Sequence, residues 1–321
     1  MKRLISALLI LTCLIGLFSC STEAKMPKAG DSRTVLTVGD KKINYDIFRY
    51  FYMNAKVSTD RGDNGYWTAN PEAEATLKAE VLDMILTCEA TLRLASKYKI
   101  KLTKQEKKDV NDFAKEWKNT SNGNVNDDFM TEHSFVYLQR YVKIWSKVYN
   151  YVIAEENGVI KCDDKTVLAD APVNFRNIRY LMLEFNDANK EEKRAQAHAI
   201  LENARQGGDF EQSVKTYCED PVMKRSSDVG YYFTKGQIAL EIEELTETLA
   251  VGGISDVVEL DGAFFVVERL DVDIEYVENN LSDFIEMYLG RRYNEIIEEI
   301  KDGLSVKYTD IWENANTSNV N

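Results

Sequence analysis

Hydrophobic residues recur at helical spacing through most of the first half of this chain. A short apolar run at 34–38 predicts one strand, and the segments after it carry apolar residues three or four positions apart, as amphipathic helices do. The predicted helices begin at Asn44, at Pro71, at Thr103 and after the polar loop 119–127. Residues 34–160 are therefore predicted to form a mainly helical domain.

The pattern changes at about residue 173, where strand-like and helix-like runs alternate. The predicted order is strand, helix, helix, turn, helix, strand, strand. The segments are 177–183, 190–205, a short helix from Asp209, the turn 218–221, a helix through Ile242, and strands at 254–260 and 263–270. Asp261 and Gly262 are a hairpin signal between the last two strands. We expect residues 173–272 to form a domain of their own.

In the C-terminal part, apolar residues again recur at helical spacing over 276–300. Apolar and polar residues then alternate at 304–308, as they do in a strand. Because a single amphipathic helix must bury its apolar face, we expect this helix to return to the N-terminal helices. We also predict that 304–308 pairs with 35–38. Residues 273–310 would then complete the helical domain, and 311–321 would be a polar tail.

Six short motifs follow one another in an order and at a spacing that are together specific for a fold. They are IRYL at 178–181, GDF at 208–210, YCEDP at 217–221, GYYFTKGQI at 230–238, LAVGGIS at 249–255 and FVVER at 265–269. The stretch resembles the parvulin family of peptidyl-prolyl isomerases. The resemblance implies the parvulin fold for residues 173–272.

Parvulins catalyse rotation about the peptide bond that precedes proline, which unaided crosses a barrier of about 20 kcal/mol. The reaction needs no nucleophile and no metal; the catalyst must hold the proline, exclude water and favour the twisted amide. The resemblance implies a site whose floor is a pair of histidines beside an Asp or Cys. Here the two histidine positions hold Tyr180 and Phe265, and only Asp220 matches the polar position.

The proline-binding positions also differ from the family's usual residues. Ile238 and Ile242 stand where parvulins usually have Met and Phe, and the resemblance adds Phe233 and Phe265 to the expected substrate-binding residues. The pocket is thus expected to stay apolar but to lose its aromatic wall.

Two interpretations of this site remain open. Either the parvulin-like fold is retained as a cleft that only binds peptides, or Tyr180 and Asp220 replace the histidine pair in an active isomerase. His198 lies beside the apolar stripe of the helix 190–205, so we expect it on the surface. Cys218 could be a nucleophile, but no histidine base is near it in sequence, and a packed thiol is expected.

The start of the chain has the pattern of an export signal. Two basic residues precede an apolar run at 4–18, which is shorter than a membrane-spanning helix. The run ends in LFSC, which resembles a bacterial lipobox with Cys20 as the lipidated residue. We expect 1–19 to be a signal peptide and 20–33 a tether from the lipid. The alternative is an ordinary secretory signal that is cleaved nearby.

The net charge and the composition of the chain exclude some classes of binding partner and ligand. Without residues 1–19 the chain keeps 38 of its 40 basic residues against 53 acidic ones, a net charge of −15. This balance argues against nucleic acid as a partner and against direct adsorption to anionic lipid. Two histidines and, beyond Cys20, three widely spaced cysteines predict neither a metal site nor a disulfide framework. No cofactor is expected.

The predicted helical domain is similar to the chaperone domain of the SurA and PrsA foldases, which carry a parvulin module before the domain's last helix. The resemblance implies an α+β fold: a mostly helical chaperone-like domain, from N-terminal helices plus the C-terminal helix, with an inserted parvulin-like β-α-α-α-β-β domain. It also implies unfolded or partly folded exported polypeptides as partners.

We therefore expect an extracytoplasmic foldase, lipid-anchored to the bacterial cell membrane, with weak or absent prolyl isomerase activity. An active isomerase is the first alternative. A solute-binding lipoprotein is the second, although such proteins usually have two lobes of repeated βαβ units, which the long helices here do not match.

Overall fold

The computed structural model describes residues 26–63, 65–120 and 129–320. The predicted signal peptide at 1–19, Cys20 and the first part of the tether at 20–33 lie outside these ranges. The described residues form an α+β fold, as predicted, with thirteen α-helices and seven β-strands. None of the helices in these ranges combines the length and the hydrophobicity that are needed to span a bilayer.

The described residues form the following helices and strands, in chain order. They are β1 (Thr34–Val38), β2 (Lys41–Asn44), α1 (Tyr45–Asp60), α2 (Tyr66–Ala69), α3 (Ala73–Lys97), α4 (Lys104–Thr120), α5 (Glu132–Ile153), α6 (Asp164–Asn174), β3 (Phe175–Glu184), α7 (Lys190–Arg205), α8 (Phe210–Tyr217), α9 (Pro221–Arg225), β4 (Tyr231–Thr234), α10 (Leu240–Thr248), β5 (Val258–Leu260), β6 (Ala263–Leu270), α11 (Ile274–Asn279), α12 (Leu281–Asp302), β7 (Val306–Tyr308) and α13 (Asp310–Asn314).

The chain divides into two compact units, each built from separate stretches of sequence. The terminal unit comprises Met1–Glu89, Leu102–Tyr141 and Leu304–Asn321, so far as these are described; the central unit comprises Ala90–Lys101 and Val142–Gly303. The division falls within α3 and α5, whose first parts belong to the terminal unit. The domain boundaries drawn from the sequence stay a prediction.

A three-stranded antiparallel sheet with β1 in the middle joins the two ends of the described chain in the terminal unit. Leu36 lies opposite Tyr308, and Val38 lies opposite Val306. The predicted pairing of 304–308 with 35–38 is therefore confirmed. Helix α1 starts where predicted, because the side chain of Asn44 accepts a hydrogen bond from the amide of Ile47 at 3.1 Å.

The residues after β7 fold into the core of the terminal unit, whereas the sequence predicts only a polar tail at 311–321. Trp312 is 7% exposed, and its ring centroid lies 5.5 Å from that of Phe48 on α1. Val320 is also buried. The polar composition of 311–321 does not predict this packing, because only a few apolar side chains of the segment enter the core.

The central unit is organised around a four-stranded antiparallel sheet in the order β4-β3-β6-β5. Successive residues of a strand point to opposite faces. Leu181 and Leu183 of β3 face the core that is closed by α7 and α8. Ile178 points to the other face, where it packs with Phe233 of β4 and Ile242 of α10. This second face carries the candidate site.

Helix α12 packs inside the central unit. Arg291 of α12 donates to both carboxylate oxygens of Asp170 on α6, at 2.6 and 2.7 Å. The ring centroid of Tyr293 lies 5.1 Å from that of Tyr149 on α5, which belongs to the predicted N-terminal helices. Helix α12 thus touches α5, and α6 and β4 supply further contacts. The return of this helix to an N-terminal domain stays a prediction.

The sequence pattern does not predict β2, β4, α6 or α9. The strands β2 and β4 have four residues each, which is too short for alternation to show. Helix α9 begins with Pro221, which signals a turn as readily as a first helical turn. Helix α6 contains Pro172, which a helical pattern normally excludes. The single helix predicted at 276–300 is two helices, α11 and α12, which meet at Asn280.

Candidate functional site

An open cleft of about 420 Å³ lies on the face of the central sheet that carries Ile178. The residues that line it are Ile178, Tyr180, Asp220, Val222, Tyr231, Ile238, Ala239, Ile242, Leu260, Asp261 and Phe265. Seven of these eleven are aliphatic or phenylalanine, two are tyrosine and two are aspartate. A mostly apolar wall with a few polar groups is the usual composition of a binding cleft.

Strand register brings Tyr180 and Phe265 together on the floor of the cleft. Tyr180 lies directly opposite Val267 in the β3–β6 pair, so Phe265 is its diagonal neighbour on the same face. The two ring centroids are 6.0 Å apart, and the ring planes are inclined by 53°. Two residues that are far apart in sequence are thus adjacent because of the pairing of the two central strands.

Asp220 reaches the same place from the segment between α8 and α9. The hydroxyl of Tyr180 donates a hydrogen bond to Oδ2 of Asp220. Oδ1 accepts the amides of Val222 and Met223, at 2.7 and 3.4 Å, as the N-cap of α9. The backbone of this segment is held against β3, because the amide of Glu219 donates to the carbonyl of Met182 at 2.9 Å.

Tyr180 is a hydrogen-bond donor and not a base in this site. Burial, and then the hydrogen bond and negative charge of Asp220, raise the pKa of the Tyr180 hydroxyl well above its usual value of 10.0. The hydroxyl therefore keeps its proton at neutral pH. The floor offers one O–H donor from Tyr180, one carboxylate from Asp220, and no polar atom from Phe265.

The predicted binding residues fall in two different places. Ile238, Ile242 and Phe265 line the cleft, as the resemblance implies. Phe233 does not: its side chain is 1% exposed and packs behind the cleft wall against Ile178. Phe233 lies on the same face of β4 as Tyr231, but its ring is buried in a cluster with Ile178 and Ile242.

Several residues that line the cleft were not among the predicted site residues. Tyr231 is the first residue of β4, Val222 lies in α9, and Asp261 lies in the β5–β6 turn. Tyr231 belongs to the GYYFTKGQI motif, which is a signal that could have identified it. Val222 and Asp261 have no such signal, because only the folded chain brings α9 and the turn to the same cleft.

The two other side chains that were considered reactive are not part of the site. His198 is exposed on α7. Cys218 is buried, its thiol donates to the carbonyl of Tyr180 at 3.6 Å, and burial raises the pKa of the thiol. Both agree with the surface position and the packed thiol predicted. Within residues 26–63, 65–120 and 129–320, no group of three or more His, Cys, Asp or Glu side chains is arranged to hold a metal ion.

The family model described as the PPIC-type PPIASE domain matches residues 160–273. These residues form a parvulin-type domain. The order of its motifs and the grouping of Tyr180, Asp220 and Phe265 around one cleft agree with this assignment. The domain departs from the pattern that the resemblance implies at both histidine positions, where Tyr180 and Phe265 stand.

The chain also matches named chaperones over part of its length. Chaperone SurA from Burkholderia pseudomallei (strain 1710b) is 25% identical over 138 residues, which cover 41% of this chain and 31% of that protein. Chaperone SurA from Burkholderia mallei (strain ATCC 23344) matches with the same identity and coverage. The match therefore spans less than a third of the length of these relatives.

Two solved structures of PrsA are similar to parts of the chain. PrsA from Bacillus subtilis is 18% identical with a TM-score of 0.30, covering 71% of this chain and 84% of that one. Foldase protein PrsA from Streptococcus pneumoniae str. Canada MDR_19A is 17% identical with a TM-score of 0.31, covering 78% of this chain and 92% of that one.

Proposed function

We propose that this protein is an exported, lipid-anchored foldase that holds unfolded or partly folded polypeptides. Its parvulin-type domain supplies a peptide-binding cleft with weak or absent prolyl isomerase activity. The observation that carries the proposal is the replacement of both histidine positions by Tyr180 and Phe265 in a cleft that keeps its apolar walls. Binding a proline-containing segment needs the walls, whereas stabilising a twisted amide needs an ordered polar floor.

The aromatic side chains of the terminal unit support a role in holding clients. Tyr50, Tyr137 and Tyr141 are half-buried at the edge of its core, and Phe113 on α4 is exposed. Tyr52 is fully buried and belongs to the core. Half-buried aromatic rings offer apolar surface to an unfolded chain without a change in the fold.

The connectivity of the chain supports an inserted-domain arrangement. The sheet of β1, β2 and β7 closes the terminal unit with strands from both ends of the described chain, and the parvulin-type domain lies between them in sequence. We propose 34–160 together with 273–310 as the chaperone part and 173–272 as the inserted part. The residues 1–19 and Cys20 would place the protein outside the cytoplasm on a lipid anchor.

One experiment tests the proposal by measuring two activities on the same full-length preparation. A proline-peptide isomerisation assay is run beside an assay of aggregation suppression with an unfolded client protein. We expect suppression of aggregation together with an isomerisation rate close to that of buffer. Absence of suppression would contradict the chaperone role, with an unrelated acidic protein of similar charge as the control.

An active isomerase is the second candidate, and the hydrogen bond between Tyr180 and Asp220 favours it. Rotation about the amide requires no proton transfer, so this pair could order the floor in place of two histidines. In that case the isomerisation rate would clearly exceed the rate in buffer. Tyr180→Phe and Asp220→Ala would each abolish the excess rate.

A further inference from the structure

One stretch of the chain, residues 220–231, supplies three of the residues that line the cleft. Asp220 and Val222 lie at its start, and Tyr231 is its last residue. The start is held at the floor of the cleft, where Asp220 accepts a hydrogen bond. Tyr231 follows the loop 226–230 directly, so the position of its ring depends on how that loop is held.

The 226–230 loop is held from the face of β3 that is opposite to the cleft. Asn177 and Arg179 point to this face, because alternate residues of a strand share a face. Nδ2 of Asn177 donates to the carbonyl of Val229 at 3.0 Å, and Nε of Arg179 donates to the carbonyl of Ser227. The two side chains are 3% and 9% exposed, so both hydrogen bonds form away from bulk water, where such bonds are stronger.

The guanidinium group of Arg179 is fixed in turn by two carboxylates. Nη1 donates to Glu268 of β6 at 2.7 Å, and Nη2 donates to Glu211 of α8 at 3.0 Å. Three nitrogen atoms of one planar group thus contact three parts of the domain. Because the group is planar, the two carboxylates determine where Nε stands, and Nε determines where the carbonyl of Ser227 lies.

Gly230 shows how closely the loop lies against β3. Its φ of 87° is in the left-handed region, which favours glycine. A Cβ atom at this position would lie 2.2 Å from Oδ1 of Asn177. The backbone therefore lies directly against Asn177 at the residue before Tyr231.

We propose that Arg179 is a positioning residue of the cleft, although it is not among the residues that line the cleft. By holding the 226–230 loop, Arg179 places Tyr231 as a wall against which a bound peptide segment packs. Tyr231 is 38% exposed, so its ring offers accessible surface for such a contact. This inference rests on the proposed peptide-binding function.

Arg179→Lys tests the proposal, because it removes one hydrogen bond and keeps the charge. Lysine has a methylene group where arginine has Nε, so the donor to Ser227 is lost while a cation remains for the two carboxylates. The matched control is Arg291→Lys. Arg291 is similarly buried, at 6% exposure, but it pairs with Asp170 between α12 and α6, and neither helix lines the cleft.

The measurement is the affinity of the full-length protein for a fluorescent peptide with a proline between two leucines, by anisotropy. Tyr231→Ala should lower this affinity about fivefold, the size of one aromatic contact. Arg179→Lys should lower it by a similar factor, and Arg291→Lys by less than about twofold. In the double variant Arg179→Lys/Tyr231→Ala, the loss should be no larger than in Tyr231→Ala alone, because Arg179 then has no ring to place.

Hydrogen exchange of the backbone amides reports on the loop itself. We expect the amides of 226–230 to exchange about tenfold faster in Arg179→Lys than in the unaltered protein, because the loop loses one of its buried hydrogen bonds. Arg291→Lys should leave the exchange of these amides unchanged. Unchanged exchange in Arg179→Lys would contradict the role of Arg179 in holding the loop.

The outcomes separate this inference from the function on which it rests. If Arg179→Lys binds the peptide as tightly as the unaltered protein, Arg179 does not position the cleft, and the peptide cleft stands. If the losses of the two single variants add in the double variant, Arg179 does not act through Tyr231, and the peptide cleft again stands. If the unaltered protein binds no peptide, the proposed cleft fails and this inference fails with it.

Discussion

Tyr180 on the central strand β3 donates its hydroxyl hydrogen to Asp220, the residue that caps helix α9. The same carboxylate therefore orders the floor of the cleft and starts a helix that forms part of its wall. Because Val222 of α9 lines the cleft, loss of the cap changes the shape of the site as well as the stability of the domain.

The double role of Asp220 predicts different effects for two substitutions. Asp220→Ala removes the cap and the acceptor for Tyr180, and we expect it to lower the free energy of unfolding by about 2 kcal/mol. Asp220→Asn keeps one oxygen that can accept the amides of α9, and its NH2 group can donate to the Tyr180 oxygen, so we expect a loss of about 1 kcal/mol or less. Urea unfolding of the full-length protein measures both. Equal losses would mean that the carboxylate does not cap α9.

Restoring the family's histidine pair should increase isomerisation. In Tyr180→His/Phe265→His, both floor positions gain a ring with donor and acceptor nitrogen atoms. We expect the isomerisation rate to rise about tenfold over that of the unaltered protein, which corresponds to about 1.4 kcal/mol of transition-state stabilisation. The two single variants are the controls and should gain less. An unchanged rate in the double variant would show that something else in the cleft limits the activity.

The different burial of Phe233 and Leu240 predicts opposite effects for two alanine variants. Phe233→Ala empties a site in the core and should lower the free energy of unfolding by about 3–5 kcal/mol. Leu240→Ala changes an exposed residue next to the cleft, so it should leave stability nearly unchanged and weaken peptide binding. Chemical unfolding and peptide anisotropy distinguish them. A stable Phe233→Ala variant with impaired binding would place Phe233 in the cleft after all.

The packing of the C-terminal segment makes it part of the terminal unit. Trp312→Ala removes a ring that packs on Phe48, and we expect it to destabilise that unit by about 3–5 kcal/mol. Val57→Ala on α1 is the control, because Val57 is 42% exposed and its loss should cost less than about 1 kcal/mol. Thermal unfolding compares the two. Equal melting temperatures would show that 311–321 behaves as a free tail.

The raised pKa of Tyr180 predicts a loss of stability in alkaline solution. Below the usual tyrosine value of 10.0 the hydroxyl is protonated in both the folded and the unfolded chain, so its hydrogen bond contributes fully. Above this pH the unfolded chain ionises first, which favours unfolding. Tyr180→Phe should therefore lose less stability than the unaltered protein between about pH 10 and 12. The exposed Tyr217→Phe is the control, and an identical alkaline loss in both variants would contradict the role of Tyr180.

The sequence by itself determined the elements whose pattern is long and regular. Helical spacing and capping residues predict α1, α3, α4 and α5, and hydrophobic runs bounded by turn signals predict β3 and β6. The motif order also sufficed for the parvulin-type domain and for selecting Tyr180, Asp220 and Phe265. Such signals are local, so they can be read without knowledge of any contact.

Only the tertiary structure decided which side chains share the cleft. Strand pairing makes Tyr180 and Phe265 neighbours. Tyr231 and Phe233 lie on the same face of β4, but only Tyr231 lines the cleft, because Phe233 is buried beside Ile178 and Ile242. The tertiary structure also placed Trp312 in the core of the terminal unit. The physical reason is that burial depends on the partner surface that the rest of the chain provides, and a segment's own composition does not contain that surface.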